Sequence, residues 1–78
     1  MDLKTYRLSK ELTREDAANF LELANESVVR RYETGERYPR PKIMARIERL
    51  TGGKVTASDM LETRRAWEKA RESAKAEA

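Results

Sequence analysis

Two adjacent arginines, Arg30 and Arg31, lie in the segment ANESVVRRYETGER, beside apolar residues at helical spacing. Val29 and Tyr32 are three positions apart, so on a helix they share one side, which we expect to be buried. The arginines then lie outside this apolar side, where guanidinium groups can bind phosphate or donate two hydrogen bonds to a guanine base. The chemistry that the segment offers is recognition of a polyanion.

Positive charge is concentrated in the same part of the chain. The formal net charge of the 78 residues is +3. Residues 1–24 carry four basic against five acidic side chains, whereas residues 25–49 carry seven basic against four acidic ones. A cluster of this kind is the electrostatic footprint that nucleic-acid binding requires.

The sequence lacks the residues that most enzyme active sites use. It has no histidine and no cysteine, so the commonest general base, the thiol nucleophile and most transition-metal sites are missing. Glu15 and Asp16 are adjacent carboxylates, but both fall in the first turn of a helix, where capping explains them. No phosphate-binding glycine loop is present either. We expect no enzymatic activity, no cofactor, no metal site and no small-molecule ligand.

Length and polarity indicate the class of protein. A chain of 78 residues forms one domain with a small core. Without cysteines it needs no oxidising compartment, and the segment MDLKTYRLSK is too polar for a signal sequence. No run approaches the roughly 18 apolar residues of a membrane span. We therefore expect a cytoplasmic protein with no membrane role.

Apolar spacing and capping residues predict the first two helices. The first runs from Asp2 to about Glu11. Thr13 and Asp16 have the spacing of a capping box, which predicts a second helix from Arg14 to about Leu21. The residues that this helix is expected to bury are Ala17, Ala18, Phe20 and Leu21.

A third helix is predicted from Glu26 to Thr34. Asn25 is a favourable N-cap, and Gly35 can take the positive φ that ends a helix. A short turn separates this helix from the second one, whose adjacent alanines allow close approach. Two helices joined in this way form a helix-turn-helix.

Two further helices follow. Pro41 begins the fourth, because proline is favoured at the first helical position, and Gly52 with Gly53 ends it. Its expected buried face is Ile43, Met44, Ile47 and Leu50. Thr56 and Asp59 repeat the capping-box spacing and begin the fifth helix, whose first large apolar residues are Met60 and Leu61. The expected fold class is all-α, a compact bundle of four to five helices that contains the helix-turn-helix.

The end of the chain is a charged segment. Residues 62–78 have high helix propensity but only one large apolar side chain, Trp67. Trp67 either docks on its own chain, contacts a second subunit or is exposed. We divide the chain into a domain of residues 1–61 and a charged helical tail of residues 62–78, which is a candidate contact for a dimer or another partner.

The segment LTREDAANFLELANESVVRRYETGERYPRP, Leu12 to Pro41, resembles the helix-turn-helix of the Cro and phage-repressor family, the xenobiotic-response-element-like (XRE) regulators. The resemblance extends over about residues 3–61 and implies a lambda-repressor-like bundle. The chain departs from the family in the turn, which reads ELAN without the usual glycine and has one extra residue. The matching positions are Leu12, Thr13, Ala18, Ala24, Val29, Tyr32, Glu33, Gly35, Arg37, Pro39 and Pro41.

The resemblance implies that the N-terminal part of the third helix faces base edges in the major groove of DNA. Arg31 would donate to guanine O6 and N7, Glu26 would accept from cytosine N4, and Val28 would contact a thymine methyl group. Glu26 has an alternative role, because an acidic residue in the first turn stabilises a helix without DNA. The expected base-reading residues are Asn25, Glu26, Ser27, Val28 and Arg31.

Other residues are expected to hold the DNA backbone or the fold. The N-terminus of the second helix is favourable for one phosphate. A solvated charge is an equally good interpretation of Arg30. In similar domains the positions of Arg7 and Glu33 form a structural ion pair, which we expect here in preference to a DNA contact. The expected phosphate-binding residues are Thr13, Arg14, Arg30, Thr34, Arg37, Arg40 and Lys42.

The energy of recognition predicts a dimer. Two or three base contacts, each worth about 1 to 3 kcal/mol of discrimination, do not separate one site from a genome of competitors. We expect a homodimer on an inverted-repeat operator in double-stranded DNA, with half-sites about 10 bp apart. The resemblance implies a small transcriptional regulator, an autorepressor of a phage or mobile-element operon. Two alternatives stay open: an antitoxin or other protein-interaction module whose tail binds a partner protein, and an adaptor that uses the same fold without DNA.

Overall fold

Five α-helices form the computed structural model, which describes residues 1–77, with side chains for residues 1–74. The helices are α1 (Leu3–Ser9), α2 (Arg14–Phe20), α3 (Glu26–Thr34), α4 (Pro41–Leu50) and α5 (Ala57–Glu77). No strand occurs within residues 1–77. The all-α class expected from the sequence is confirmed.

The capping box of α2 forms as expected. Thr13 Oγ1 accepts a hydrogen bond from the Asp16 backbone N–H at 3.0 Å, and Asp16 Oδ2 accepts one from the Thr13 backbone N–H at 3.0 Å. Hydrogen bonds from the Thr13 backbone N–H and the Thr13 hydroxyl hold the pKa of the Asp16 carboxyl below its usual value. The capping box satisfies two backbone donors that the first turn of a helix would otherwise leave free.

Helix α1 ends earlier than expected. Its last residue is Ser9, and Glu11 has a φ of +55°, a left-handed conformation that a helix cannot continue through. The Arg7 carbonyl oxygen then accepts hydrogen bonds from the backbone N–H groups of Lys10 and Leu12, at 3.2 and 3.1 Å. The chain reverses within these residues and leads directly into α2.

Helix α3 has the bounds that the sequence predicts. Asn25 Oδ1 accepts a hydrogen bond from the Val28 backbone N–H at 3.2 Å, which satisfies a donor of the first turn. Gly35 has a φ of +90° and ends the helix in the left-handed conformation. α3 is thereby fixed at both ends by its own sequence.

The turn between α2 and α3 uses a left-handed residue other than glycine. Glu22 has a φ of +56°. Arg46 of α4 holds this turn from outside, because its Nη1 donates to the Glu22 carbonyl oxygen at 2.9 Å and to the Leu21 carbonyl oxygen at 3.5 Å. The turn without glycine is therefore stabilised by a side chain from a later helix.

Helix α5 begins with the second expected capping box. Thr56 Oγ1 accepts a hydrogen bond from the Asp59 backbone N–H at 3.1 Å, and Asp59 Oδ2 accepts one from the Thr56 backbone N–H at 3.0 Å. The Met1 amino group, 2.9 Å from Asp59 Oδ2, and the Thr56 N–H hold the pKa of Asp59 at about 2. The helix then continues through positions 61 and 62 without interruption, so the expected boundary between domain and tail lies inside one helix.

Two groups of buried residues make the core. The smaller one joins α2 to α3 and consists of Ala17, Ala18 and Val29. Side chains of alanine size let the two helix backbones approach closely, which fixes α3 against α2. The larger one, here called the main core, consists of Leu3, Tyr6, Leu21, Tyr32, Met44, Ile47, Val55 and Met60.

The buried residues expected in α2 need one correction. Phe20 is 44% exposed, whereas Leu21 is almost completely buried. Leu21 is four and three positions after Ala17 and Ala18 and shares their buried side, whereas Phe20 lies about 100° around the helix from Leu21 and faces solvent. Among the residues expected on the buried face of α4, Met44 and Ile47 are buried, while Ile43 and Leu50 are half-buried.

Candidate nucleic-acid interface

One side of α3 is buried and the other is exposed. Val29 and Tyr32 lie in the two core groups. Glu26, Ser27 and Arg30 are exposed, and so is the N-cap Asn25. Burying a valine side chain contributes about 1.5 to 3 kcal/mol relative to leaving it exposed. This contribution holds the buried side of α3 in the domain while polar side chains cover its N-terminal end.

Two of the expected base-reading residues contact other residues of the protein and are only partly free to contact DNA. Val28 is half-buried and packs against the main core. The Arg31 side chain is 41% exposed, and its Nε lies 3.7 Å from Glu36 Oε2. An ion pair this exposed contributes at most about 1 kcal/mol, so it restrains the Arg31 guanidinium only weakly.

Arg7, Glu33 and Arg14 form a network between the first three helices. Arg7 Nε donates to Glu33 Oε2 at 2.6 Å and Arg7 Nη2 donates to Glu33 Oε1 at 3.2 Å, a two-point contact. Arg7 Nη1 donates to the Leu12 carbonyl oxygen at 3.0 Å. The Glu33 side chain is only 2% exposed. The two positions expected to pair do so, and the pair also fixes the turn between α1 and α2.

Arg14 also belongs to this network, which the sequence did not reveal. Its Nε donates to Glu33 Oε1 at 3.3 Å. The side chain is 41% exposed, and within the described residues its terminal nitrogens make no hydrogen bond. Glu33 thus orients a guanidinium whose outer edge is open, beside the exposed Thr13 at the N-terminus of α2. Such a guanidinium can still bind a phosphate.

The remaining residues expected to bind phosphate lie at the C-terminal end of α3 and beyond it. Thr34 Oγ1 donates to the Arg31 carbonyl oxygen at 3.2 Å and accepts from the Glu36 backbone N–H at 3.3 Å, so it also caps the helix end. The other three are all exposed: Arg37, Arg40 and Lys42.

A cavity of about 520 Å³ lies between α3, α4 and the segment that joins them. Its walls include Val28 and Ile43, and its charged groups include Arg37, Arg40 and Arg46. Sequence analysis did not single out Arg46 or this cavity. Arg37 and Arg40 are therefore exposed on the surface and also line the cavity.

The C-terminal end of α3 is covered by α5. Arg64 Nη1 donates to the Gly35 carbonyl oxygen at 3.0 Å and to the Glu36 carbonyl oxygen at 2.6 Å. Trp67 lies between two guanidinium groups, with Arg64 4.7 Å and Arg71 4.8 Å from the centre of its ring. The sequence left open whether Trp67 docks on its own chain, contacts a second subunit or is exposed. In the structure Trp67 is half-buried against its own chain, next to Gly35.

Comparison of this chain with protein-family models, curated proteins and solved structures finds no match. None of the helices in residues 1–77 has the length and hydrophobicity needed to span a membrane. In the same residues, no three acidic side chains come together as a group that could hold a metal ion.

Proposed function

We propose that this protein binds double-stranded DNA sequence-specifically, with α3 in the major groove. The observation that carries the proposal is the division of α3 into two sides. Val29 and Tyr32 anchor one side in the core, and Glu26, Ser27 and Arg30 are exposed on the other. A helix held in this way can enter a groove about 12 Å wide without leaving its domain.

Arg31 is the principal base-reading residue of the proposal. Its ion pair with Glu36 joins two exposed side chains at 3.7 Å, so a guanine edge can replace Glu36 at little cost. Ser27 lies one helical turn before Arg31 and is exposed. Glu26, Asn25 and the outer part of Val28 complete the reading surface.

Positively charged groups on both sides of α3 would hold the DNA backbone. Arg14 and Thr13 lie at the N-terminus of α2, and Arg37 and Arg40 lie beyond the C-terminal end of α3. Contacts of this kind position a protein on DNA but do not select sequence. We further propose a homodimer that occupies an inverted repeat and represses transcription, in the manner of the family that the sequence resembles.

Selection of bound fragments from a random DNA pool, followed by gel shifts, tests the proposal. We expect a selected inverted repeat, and Arg31→Ala should lower affinity for it by about 5- to 150-fold and relax preference at one position of each half-site. Arg65→Ala is the matched control, because Arg65 is exposed on α5 and is not one of the expected DNA-contacting residues. Affinity and sequence preference that stay unchanged in Arg31→Ala would contradict the assignment.

A protein-interaction module is the second candidate. Residues 68–74 of α5 are all exposed, beyond the contact that Trp67 makes with the end of α3. A helix with such a free surface can bind a partner protein. Truncation after residue 67 distinguishes DNA binding from protein interaction. Loss of a stoichiometric partner protein with intact DNA binding favours the interaction module. If the truncated protein keeps both the partner and DNA binding, the function belongs to residues 1–67.

A further inference from the structure

The cavity between α3 and α4 is lined by a tyrosine that the proposed reading surface does not use. Tyr32 lines this cavity, and it is only 4% exposed because its ring belongs to the main core. Its hydroxyl makes no hydrogen bond within the described part of the chain. The hydroxyl is not sealed inside the protein, because no fully enclosed side-chain oxygen or nitrogen there lacks a partner. Tyr32 thus presents an unused donor to the cavity.

Three guanidinium groups surround the same space. Arg46 already donates to the carbonyl oxygens of the α2–α3 turn, and its Nε lies 3.9 Å from Glu22 Oε2. Arg37 and Arg40 make no side-chain hydrogen bond to the described residues, so their donors are available. Among the side chains of residues 1–74, Glu22 is the one carboxylate that lines the cavity, and it is exposed. The charge of the cavity is therefore positive.

Burial raises the pKa of Tyr32, while the charges of Arg37, Arg40 and Arg46 lower it by a smaller amount. The hydroxyl consequently keeps its proton at neutral pH and acts as a hydrogen-bond donor. A neutral donor in the wall of a positively charged cavity favours an acceptor that carries negative charge.

We infer that this cavity is an oxyanion site that takes one phosphate group, with the Tyr32 hydroxyl, Arg37 and Arg40 as its donors. The volume of about 520 Å³ exceeds that of a single phosphate and leaves room for a group attached to it, against the apolar wall of Val28 and Ile43. The phosphate comes either from a DNA backbone or from a free phosphorylated small molecule. In the first case the inference rests on the proposed function, because the site then holds the DNA that α3 reads.

Inorganic phosphate tests the site without DNA. Titration of the ¹⁵N-labelled full chain, with sodium chloride reduced to keep ionic strength constant, should shift amide signals around Val28, Tyr32 and Arg40. Tyr32→Phe removes only the hydroxyl and should weaken binding at least about 10-fold, as expected for a hydrogen bond to a charged group. Tyr6→Phe is the matched control, because Tyr6 is also a buried tyrosine of the main core but does not line the cavity.

Duplex DNA tests the other source of phosphate. If the site holds a backbone phosphate, Tyr32→Phe should weaken DNA binding several-fold, equally for all sequences, and Tyr6→Phe should not. The double substitution Arg37→Gln and Arg40→Gln should lower the salt dependence of binding by about 1 in log–log slope, because both side chains hold the same phosphate. Arg49→Gln is its control, since Arg49 is exposed on α4 outside the cavity.

The outcomes separate this inference from the proposed function. Phosphate binding that Tyr32→Phe abolishes, in a protein that does not bind DNA, supports a site for a free phosphorylated ligand and contradicts the proposed function. A loss of DNA affinity in Tyr32→Phe, without binding of free phosphate, supports the backbone as the source. If Tyr32→Phe and the double arginine variant match wild type with both probes, the inference is overturned, whether or not α3 reads DNA.

Discussion

Arg64 Nη1 donates to the Gly35 carbonyl oxygen at 3.0 Å, and this bond joins α5 to the C-terminal end of α3. The last carbonyl groups of a helix have no partner within it and carry partial negative charge. A guanidinium from α5 supplies both a donor and a positive charge there. The tail is in this way attached to the helix that we propose reads DNA.

Gly35→Ala should destabilise the protein strongly. The φ of +90° is unfavourable for any residue with a Cβ, at a cost of about 1 to 2 kcal/mol. An added Cβ would also overlap the Thr63 carbonyl oxygen and approach the Trp67 Cβ to 2.9 Å. Chemical denaturation should show a larger loss than for Gly52→Ala, where φ is +63° and the space is open. Equal losses in the two variants would mean that α5 does not pack closely on Gly35.

Arg64→Met should lower the free energy of unfolding by about 1.5 to 3 kcal/mol, because two carbonyl groups lose hydrogen bonds from a charged donor. The methionine keeps much of the contact with the Trp67 ring. Arg65→Met, on the exposed side of α5, is the control and should stay within about 0.5 kcal/mol of wild type. Urea denaturation measures both, and a control that loses as much as Arg64→Met would argue against the cap.

The bounds of α3 could be predicted because they depend on neighbouring residues. The Asn25 cap and the positive φ of Gly35 are local properties. The hydrogen bonds from Arg64 could not be predicted, because Arg64 is 29 positions from Gly35 and 28 positions from Glu36 in the sequence. Nothing in the sequence says which arginine on α5 faces the end of α3. The position of Trp67 stayed open for the same reason.

The buried residues of the core could also be predicted only in part from the sequence. Spacing predicted Val29 and Tyr32 as buried, but it also predicted Phe20, which is exposed. Neighbouring residues on a helix point about 100° apart, so Phe20 and Leu21 cannot both point into the centre of the core. In the candidate site, spacing located the exposed arginines, while the cavity lined by Tyr32 depends on how α4 packs against α3.

Glu33→Gln should be one of the most destabilising changes in the chain. It leaves the buried Arg7 guanidinium without its carboxylate, and breaking a buried ion pair costs about 3 to 5 kcal/mol. Arg14→Gln should cost less than about 1 kcal/mol, because the Arg14 side chain is 41% exposed and its contact with Glu33 is screened by water. Thermal and urea denaturation of both variants measure the difference. Similar losses in the two would show that the energy of the network does not depend on burial.

Stability should fall in acid partly through Asp59. The folded pKa of about 2 lies below the ordinary 3.8, so the carboxylate contributes stability above about pH 4, which is lost as the pH falls towards 2. In Asp59→Asn this contribution is absent at every pH. Urea denaturation at pH 5, 4, 3 and 2.5 should therefore give a shallower fall for the variant than for wild type. Parallel curves would mean that Asp59 does not hold its charge through these contacts.

Glu22→Gly should stabilise the α2–α3 turn relative to Glu22→Ala. Alanine keeps the Cβ that makes a φ of +56° unfavourable, whereas glycine has no Cβ. Glycine in turn lowers the free energy of unfolding by about 0.5 to 1 kcal/mol, because it loses more conformational entropy on folding. The Glu22 side chain itself is 68% exposed and 3.9 Å from Arg46, so its loss has little effect and is the same in both variants. The Arg46 hydrogen bond to the Glu22 carbonyl oxygen is also kept in both. Equilibrium denaturation should rank glycine above alanine and alanine above valine, and the reverse order would show that the turn does not take the left-handed conformation in solution.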